Sequence, residues 1–272
     1  MTSVLTVRSG LADLASEIAG EGMTVAMLHA GVADRRMWRE QLLAFAESPT
    51  RYRTVAYDRR GFGDSLHAEE DYSQTGDLLA VLDATSADPA VLVGCSQGGR
   101  IAIDFALAHP GRVRALVLVA PAISGAPEVD VFPPRIEAWF ESLERAETAR
   151  DIDQINAIEA HAWLDGPEGQ DGRVGGASRE LFLAMNDIAL RAERRGTESE
   201  PPPAYGRLPA LDVPTLLIWG DLDFPHLVER CAYVAAQLPN AKSYVMRGTA
   251  HLPNLERPAE FNNVLLRFCE SL

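Results

Sequence analysis

The chain has 272 residues, of which 47% are hydrophobic, and a formal net charge of −14 at pH 7. This length and hydrophobic content suffice to bury one large core but are short for two equal domains, so we expect one domain with a sizeable insertion. The acidic balance argues against nucleic acid and anionic membrane surfaces as partners, because both favour basic patches.

Targeting signals and paired cysteines are not predicted. The first eight residues lack the basic stretch and following apolar stretch of a secretory signal. No apolar run approaches the roughly 18 residues needed to span a bilayer. Cys95, Cys231 and Cys269 are far apart and form no C-x-x-C pair, which favours a reducing compartment and no zinc site. We therefore expect a cytoplasmic protein with no metal and no membrane association.

Strands and helices alternate in the first part of the chain. Such alternation predicts a parallel sheet made of right-handed crossovers. An apolar, β-rich run at residues 115–120 is typical of a strand covered on both faces. The other predicted strands lie near residues 4–7, 14–19, 24–28, 54–57 and 91–93. Helices are predicted through residues 37–45, 78–82 and 101–106, and a glycine-rich loop at residues 58–65.

The alternation stops after Ser124. Residues 124–210 contain no predicted strand but three amphipathic segments, at residues 136–143, 152–163 and 181–190, which predict an inserted helical lid. The chain then divides into a first core part, 1–123, the lid, 124–210, and a second core part, 211–272. The second core part has predicted strands at 214–219 and 243–246 and predicted helices at 226–238 and from Pro258 onward.

Ser96 lies between the strand at 91–93 and the helical pattern that follows Gly98. Gly94, Ser96 and Gly98 form the G-x-S-x-G pattern of a nucleophile elbow, a sharp turn from strand to helix. The glycines let strand and helix approach, and the hydroxyl projects near a helix N-terminus, whose N–H groups favour negative charge. The alternative is a glycine-rich turn whose serine only caps the helix. The flanking strand and helix favour a catalytic serine.

A serine hydroxyl needs a base, and histidine has a suitable pKa at neutral pH. His251 is the candidate, because it follows the last strand and so lies at the carboxyl edge of the sheet, as Ser96 does. Asp221 and Asp223 follow the penultimate strand at the same edge. Asp221 falls within the first bend, whereas Asp223 has room to reach the histidine. We favour Asp223 as the acid and keep Asp221 as the alternative.

An oxyanion hole requires two N–H groups. One is predicted from Gln97, directly after the serine, and the other from the loop after the third strand, where Gly31 is favoured and Val32 is the alternative. His29 begins this loop, and its position suits anchoring the loop through hydrogen bonds.

These motifs resemble those of lid-bearing α/β-hydrolases across nearly the full chain. The matching segments, in the family's order, are His29-x-Gly31 with Trp38 downstream, the loop at 58–65, Gly94-Cys-Ser-Gln-Gly-Gly99, Gly220-Asp-Leu-Asp223 and Gly248-Thr-Ala-His251. Ala30 replaces the glycine that many members have after the histidine. The resemblance implies a mostly parallel α/β-hydrolase sheet flanked by helices, with an inserted helical lid. The family's Gly-x-x-Asp spacing points to Asp223.

The resemblance also implies a small-molecule carboxylic ester or lactone as substrate and no cofactor, with 3-oxoadipate enol-lactonase-like enzymes as close relatives. Our first hypothesis is a serine hydrolase that acts through an acyl-enzyme. A carbon–carbon bond hydrolase, a thioesterase and a cofactor-free perhydrolase would use the same triad. A ligand-binding receptor on a hydrolase fold is the hypothesis from another class, and an inactive paralogue is a third. The sequence leaves the natural substrate and the oligomeric state open.

Aromatic residues of the lid are the candidates for lining a substrate pocket. They are Trp139, Phe140, Trp163 and Phe182. Ordinary packing of the lid on the core explains the same residues equally well.

Overall fold

A computed structural model describes residues 2–87 and 89–272. Its main sheet consists of β1 (Thr2–Ser9), β2 (Ala12–Gly20), β3 (Met23–Leu28), β4 (Tyr52–Tyr57), β6 (Ala90–Cys95), β7 (Val113–Val119), β9 (Thr215–Gly220) and β10 (Ala241–Met246). Two shorter strands, β5 (Asp71–Tyr72) and β8 (Thr197–Glu198), pair with each other. In the main sheet the order is β1-β2-β4-β3-β6-β7-β9-β10. Within this described sheet the antiparallel pairs are those that β2 makes with β1 and with β4, and the other pairs are parallel, which confirms the mostly parallel architecture.

Helices cover both faces of the sheet. They are α1 (Arg39–Glu47), α2 (Gln74–Ala84), α3 (Gln97–Ala108), α4 (Pro134–Ala149), α5 (Ile152–Ala160), α6 (Gly176–Arg191), α7 (Pro225–Gln237), α8 (Pro253–Glu256) and α9 (Pro258–Glu270). Because strand side chains alternate between faces, Leu92 of β6 packs with α2, α3 and α7, whereas its neighbours Val91 and Val93 pack with α1 and α9. A strand buried on both faces must be apolar throughout, as the continuous runs predict.

The segment inserted between β7 and β9 carries α4, α5 and α6. The three predicted amphipathic segments coincide with them, but α6 begins five residues earlier than predicted, and α5 continues as one π-helical turn, His161–Asp165. The prediction that residues 124–210 contain no strand is wrong, because β8 pairs in parallel with β5. A two-residue strand is too short to show the alternation by which strands are found in a sequence.

The carboxyl ends of the parallel strands bring the predicted site residues to one edge of the sheet. Ser96 follows β6, Asp223 follows β9 and His251 follows β10, as expected for functional residues in an open α/β sheet. No helix within the described residues has the length and apolar character to cross a membrane.

Candidate active site

Ser96 forms the whole turn between β6 and α3. Its backbone has φ 52° and ψ −114°, a conformation that residues with side chains rarely adopt. The surrounding chain holds this strained geometry, since the Ser96 N–H donates to the Val119 carbonyl at 2.9 Å. The Ser96 carbonyl accepts from the N–H groups of Arg100, at 3.1 Å, and Ala122, at 3.0 Å. The serine is therefore fixed by its own helix and by the end of the neighbouring strand.

Two glycines make this turn sterically possible. A Cβ atom on Gly94 would collide with the backbone of Gly98, and one on Gly98 would collide with the carbonyls of Leu28 and His29. The close approach of strand and helix therefore requires hydrogen at both positions.

His251 and Asp223 are joined by a short hydrogen bond. The His251 Nδ1 and Asp223 Oδ2 atoms are 2.6 Å apart, and both side chains are almost fully buried. Because the carboxylate can only accept, Nδ1 carries the proton and Nε2 retains its lone pair. The second oxygen of Asp223 accepts the Phe224 N–H at 2.8 Å. The carboxylate is thus held on both sides, and it fixes the tautomer and orientation of the imidazole.

Asp221, the alternative acid, faces a different partner. Its Oδ1 accepts the backbone N–H of Gly248 at 2.5 Å, and the residue is exposed. This bond ties the loop after β9 to the loop that carries His251. The structure therefore brings Asp223, and not Asp221, to the histidine.

Ser96 and His251 line the same cavity, which has a volume of about 350 Å³. Gly31, Val32 and Gln97 line it as well. The backbone N–H groups of these three residues donate no hydrogen bond to any described residue. Unpaired N–H groups beside a serine are what an oxyanion hole requires, and the structure brings both predicted donors, Gln97 and Gly31, to this place.

Of the four predicted pocket aromatics, the structure brings only Trp163 to this cavity. Its ring lies 4.6 Å from that of His251. Trp139 does not line this cavity. Its ring lies 6.1 Å from that of Trp163, and it lines a separate cavity. Phe140 is 39% exposed, and Phe182 is fully buried in the core. Packing of the insertion on itself and on the core explains these three aromatic residues.

The separate cavity beside Trp139 contains His161, Asp171 and Arg179. His161 and Asp171, together with the buried Asp165, form a group whose ligand atoms could hold a metal ion. Arg179 already forms ion pairs with both carboxylates. A cation thus already compensates the negative charge of this group.

His29 anchors the loop that contains Gly31, as the sequence suggests. Its Nε2 accepts the Arg59 N–H at 3.0 Å, and its Nδ1 lies 2.8 Å from the Ala30 carbonyl, so Nδ1 carries the proton. Complete burial and then the nearby Arg59 guanidinium hold the pKa of His29 well below its ordinary value. A neutral, internally bonded imidazole of this kind positions the loop.

Glu159 is a cavity residue that the sequence analysis did not identify. It lines the cavity together with Leu227, and its carboxylate accepts from Asn186 Nδ2 at 2.6 Å. Burial raises the pKa of this carboxyl group. Glu159 lies four residues before Trp163, and residues four apart lie on the same face of a helix. This spacing from a predicted pocket residue was the signal by which the sequence could have identified Glu159.

Cys95 adjoins Ser96 but points into the core. It is fully buried, and burial raises the pKa of its thiol. A thiol held in its protonated form is a poor nucleophile, so Cys95 contributes to packing beside the serine.

The sequence model of the alpha/beta hydrolase family matches residues 25–264. The chain belongs to the alpha/beta hydrolase family. The match covers the elbow, the predicted oxyanion loop and the loops of Asp223 and His251.

Three relatives illustrate the range of this family around the chain. A pimeloyl-[acyl-carrier protein] methyl ester esterase from Aeromonas hydrophila is 26% identical over 92% of this chain and 96% of the relative. A 2-hydroxy-6-oxononadienedioate/2-hydroxy-6-oxononatrienedioate hydrolase from Pseudomonas putida is 26% identical over 97% of this chain and 94% of the relative. The crystal structure of an esterase from Rhodococcus sp. is 25% identical, with a TM-score of 0.75, and covers 100% of this chain and 99% of that chain. Family and relatives together support a hydrolase.

Proposed function

We propose that the protein is a serine hydrolase that cleaves a carboxylic ester or lactone through an acyl-enzyme. Ser96 is the nucleophile, His251 the general base and acid, and Asp223 the residue that orients the imidazole. The observation that carries the proposal is the 2.6 Å bond between His251 Nδ1 and Asp223 Oδ2. It leaves Nε2 as the proton acceptor in the cavity that Ser96 also lines.

The reaction follows the acyl-transfer scheme. The Ser96 Oγ attacks the substrate carbonyl carbon while His251 Nε2 takes the hydroxyl proton. The negative charge that develops on the carbonyl oxygen is stabilised by the N–H groups of Gln97 and Gly31. The imidazolium then protonates the leaving alkoxide, and water, activated by the same histidine, hydrolyses the acyl-enzyme.

The names of the relatives favour ester hydrolysis. Both the relative from Aeromonas and the one from Rhodococcus are named esterases. The relative named a hydrolase of 2-hydroxy-6-oxo dienedioates keeps carbon–carbon bond cleavage as the second candidate. We treat residues 124–210 as a lid, because the insertion contributes Glu159 and Trp163 to the cavity that Ser96 lines.

A fluorophosphonate probe and a series of 4-nitrophenyl esters from acetate to octanoate test the proposal. Ser96→Ala removes the nucleophile and should abolish labelling and lower turnover by about 10³-fold or more, with the fold intact. Ser243→Ala changes an exposed serine on the edge strand β10 and should behave as the unaltered protein. Wild-type ester turnover by Ser96→Ala would overturn the proposal. Stoichiometric labelling of Ser96 without turnover of any ester would favour a receptor.

A further inference from the structure

Arg59 is a buried cation without an acidic partner. It follows β4 by two residues, and it is only 2% exposed. Its Nη1 donates to Gln97 Oε1 at 3.0 Å, its Nη2 donates to the Ala30 carbonyl at 3.1 Å, and its guanidinium lies over the Phe62 ring. All of these partners are uncharged. The Nε–H group is buried and has no hydrogen-bond partner. No carboxylate within the described residues forms an ion pair with Arg59, and the negative charge of Glu198 acts on it only at longer range.

Burial of an unpaired charge is unfavourable. A charged group taken out of water is normally paired with an opposite charge, because its desolvation is unfavourable even after the surroundings relax. Burial accordingly lowers the pKa of Arg59 to about 10, which still leaves the guanidinium charged at neutral pH. An anion that binds next to Arg59 would compensate this charge.

Arg59 lines a cavity of about 660 Å³ that adjoins the one containing Ser96. Gly31, Gln97 and Ala122 line both cavities, so one substrate can extend from the nucleophile to Arg59. The insertion closes the far side with residues from its C-terminal part, among them Arg194 and Glu198.

The other charges of this cavity are largely compensated within the protein. Arg60 pairs with Glu70 and the buried Asp77. Arg100 pairs with Glu198 and Glu200, and Gln74 also donates to Glu198 at 3.0 Å. Arg195 pairs with Glu193. Among the arginines that line this cavity, two form no ion pair with a described residue: Arg59, at the wall shared with the nucleophile, and the exposed Arg194.

We propose that this cavity is a subsite for a carboxylate group at the end of the substrate remote from the scissile bond, and that Arg59 is its principal donor. The proposal rests on the proposed serine hydrolase function and names its substrate class: esters or lactones that carry a free carboxylate. The guanidinium plane suits the two oxygens of a carboxylate, because Nη1 and Nη2 each carry a second N–H group beyond the one donated to Gln97 or Ala30. Arg194 adds positive charge at the solvent side.

The test compares substrates that differ only in this charge. The 4-nitrophenyl half-esters of adipic and suberic acid carry a free carboxylate, and their methyl-capped counterparts are neutral. Release of 4-nitrophenolate gives kcat/KM for each member of a pair. In the unaltered protein the charged member should be favoured by about 10- to 100-fold, the effect of a hydrogen bond between charged groups.

The variant Arg59→Met should bring this ratio close to one. Arg59 also contacts Gln97 and Ala30, so its replacement can displace the oxyanion loop and lower the turnover of both members of a pair. The ratio of their kcat/KM values is therefore the quantity to compare. The matched control is Arg51→Met. Arg51 precedes the same strand, β4, at the opposite edge of the sheet and is exposed; its replacement should leave the ratio unchanged. Should Arg59→Met fail to fold, Arg59→Lys keeps the charge without the planar donors and should give an intermediate ratio.

A binding measurement separates this proposal from the proposed function. Calorimetry with the Ser96→Ala protein compares monomethyl adipate with dimethyl adipate and requires no turnover. The monoester should bind about tenfold or more tightly, and Arg59→Met in the same background should remove the difference. Equal affinity of the two ligands would contradict the proposed subsite. A preference for the charged ligand that Arg194→Met abolishes and Arg59→Met retains would contradict the role of Arg59. Loss of 4-nitrophenolate release from every ester, with the charge preference in binding intact, would instead count against ester hydrolysis.

Discussion

Asp221 and Asp223 stand two residues apart after β9, yet their carboxylates have different partners. Asp223 faces His251, whereas Asp221 binds the backbone of Gly248. The sequence left both open, because spacing alone does not determine which side chain turns toward the neighbouring loop. This geometry supports the proposed role of Asp223 in orienting the base, whereas Asp221 connects the two loops.

Asparagine at these two positions should separate the tasks. Asp223→Asn removes the acceptor for the Nδ1–H group, favours the wrong tautomer of His251, and should lower kcat by up to about 10⁴-fold, with little change in melting temperature. Asp221→Asn should retain most of the activity and lower the melting temperature. Ester turnover and thermal unfolding of both variants give the answer. Normal turnover by Asp223→Asn together with inactive Asp221→Asn would reverse the assignment.

His29 should make the folded state sensitive to acid. Its folded pKa is depressed by burial and by Arg59, whereas the unfolded chain protonates its histidines below about pH 6.5. Stability from the neutral imidazole is therefore complete above that pH and lost as the pH falls toward the depressed folded value, by up to about 1.4 kcal/mol per pH unit.

The variant His29→Gln tests this pH dependence, because glutamine can accept the Arg59 N–H group but does not titrate. It should be less stable than the unaltered protein at pH 7.5, and the gap in unfolding free energy should narrow between pH 6.5 and 5. Denaturant titrations at several pH values measure this gap. The other titrating groups are common to both proteins and cancel in the difference. A gap that stays constant would show that His29 does not control the acid sensitivity.

The side chains of the candidate site differ in how far the sequence predicts them. Ser96 and His251 are predicted as site residues because motif and position in the fold both single them out. Arg59 and Glu159 were not identified as site residues, because an arginine in a polar loop and a glutamate on an amphipathic helix are ordinary surface residues in a sequence. Their burial depends on what packs over them, which only the folded chain shows.

At the scale of elements, the continuous apolar strands were predicted reliably because burial on both faces forces every residue to be apolar. All six residues of β9, Thr215–Gly220, are buried, and the predicted bounds of 214–219 differ from the observed ones by one residue at each end. The edge strand β10 is mostly exposed, and its length was underestimated. The missed pair of β5 and β8 is held by main-chain bonds, such as that from Ser199 N–H to the Tyr72 carbonyl at 2.7 Å. Such bonds leave no pattern in the side chains.

Gly98 lies where β6, α3 and β3 meet. We expect Gly98→Val to impair folding rather than catalysis. A side chain there collides with the carbonyls of Leu28 and His29, which belong to the main chain and cannot rotate away. Overpacking of tight sites costs about 1–3 kcal/mol, and backbone obstruction places this variant at or above the upper end. Chemical denaturation should show the loss. Gly111→Val is the control, since a Cβ at Gly111 meets no atom within 4 Å; equal stability of the two variants would contradict the elbow geometry.

At the scale of the whole molecule, Arg173 connects the insertion to the core beside the candidate active site. Its guanidinium donates to Glu256 at 2.6 Å and to the Gly248 carbonyl at 3.0 Å. The other oxygen of Glu256 accepts the Ala250 N–H at 2.7 Å, directly before His251. The insertion thus reaches the loop of His251 through the direct hydrogen bond to Gly248 and through one ion pair, whose acid is 3% exposed and whose base is 26% exposed. Displacement of the insertion should therefore also disturb the position of the histidine.

Arg173→Met should destabilise the protein in a pH-dependent way. Burial raises the pKa of Glu256 to about 7, and Arg173 opposes that rise. At pH 8 the carboxylate would lose its charged partner, at a cost of about 1.5–3 kcal/mol for a hydrogen bond between charged groups. At pH 6 Glu256 is largely protonated in the folded state, so the loss should be smaller.

Denaturant unfolding at pH 8 and pH 6 measures this difference, and the Glu256→Gln background supplies the control. Without a titrating carboxyl group, Arg173→Met should have the same effect at both pH values. A pH-dependent loss that persists in that background would place its origin in another group. Arg173→Met in the otherwise unaltered protein could lower the unfolding free energy by the same amount at pH 8 and pH 6. That result would show that Arg173 acts through its bonds to backbone carbonyls, and that the link between insertion and core does not depend on the charge of Glu256.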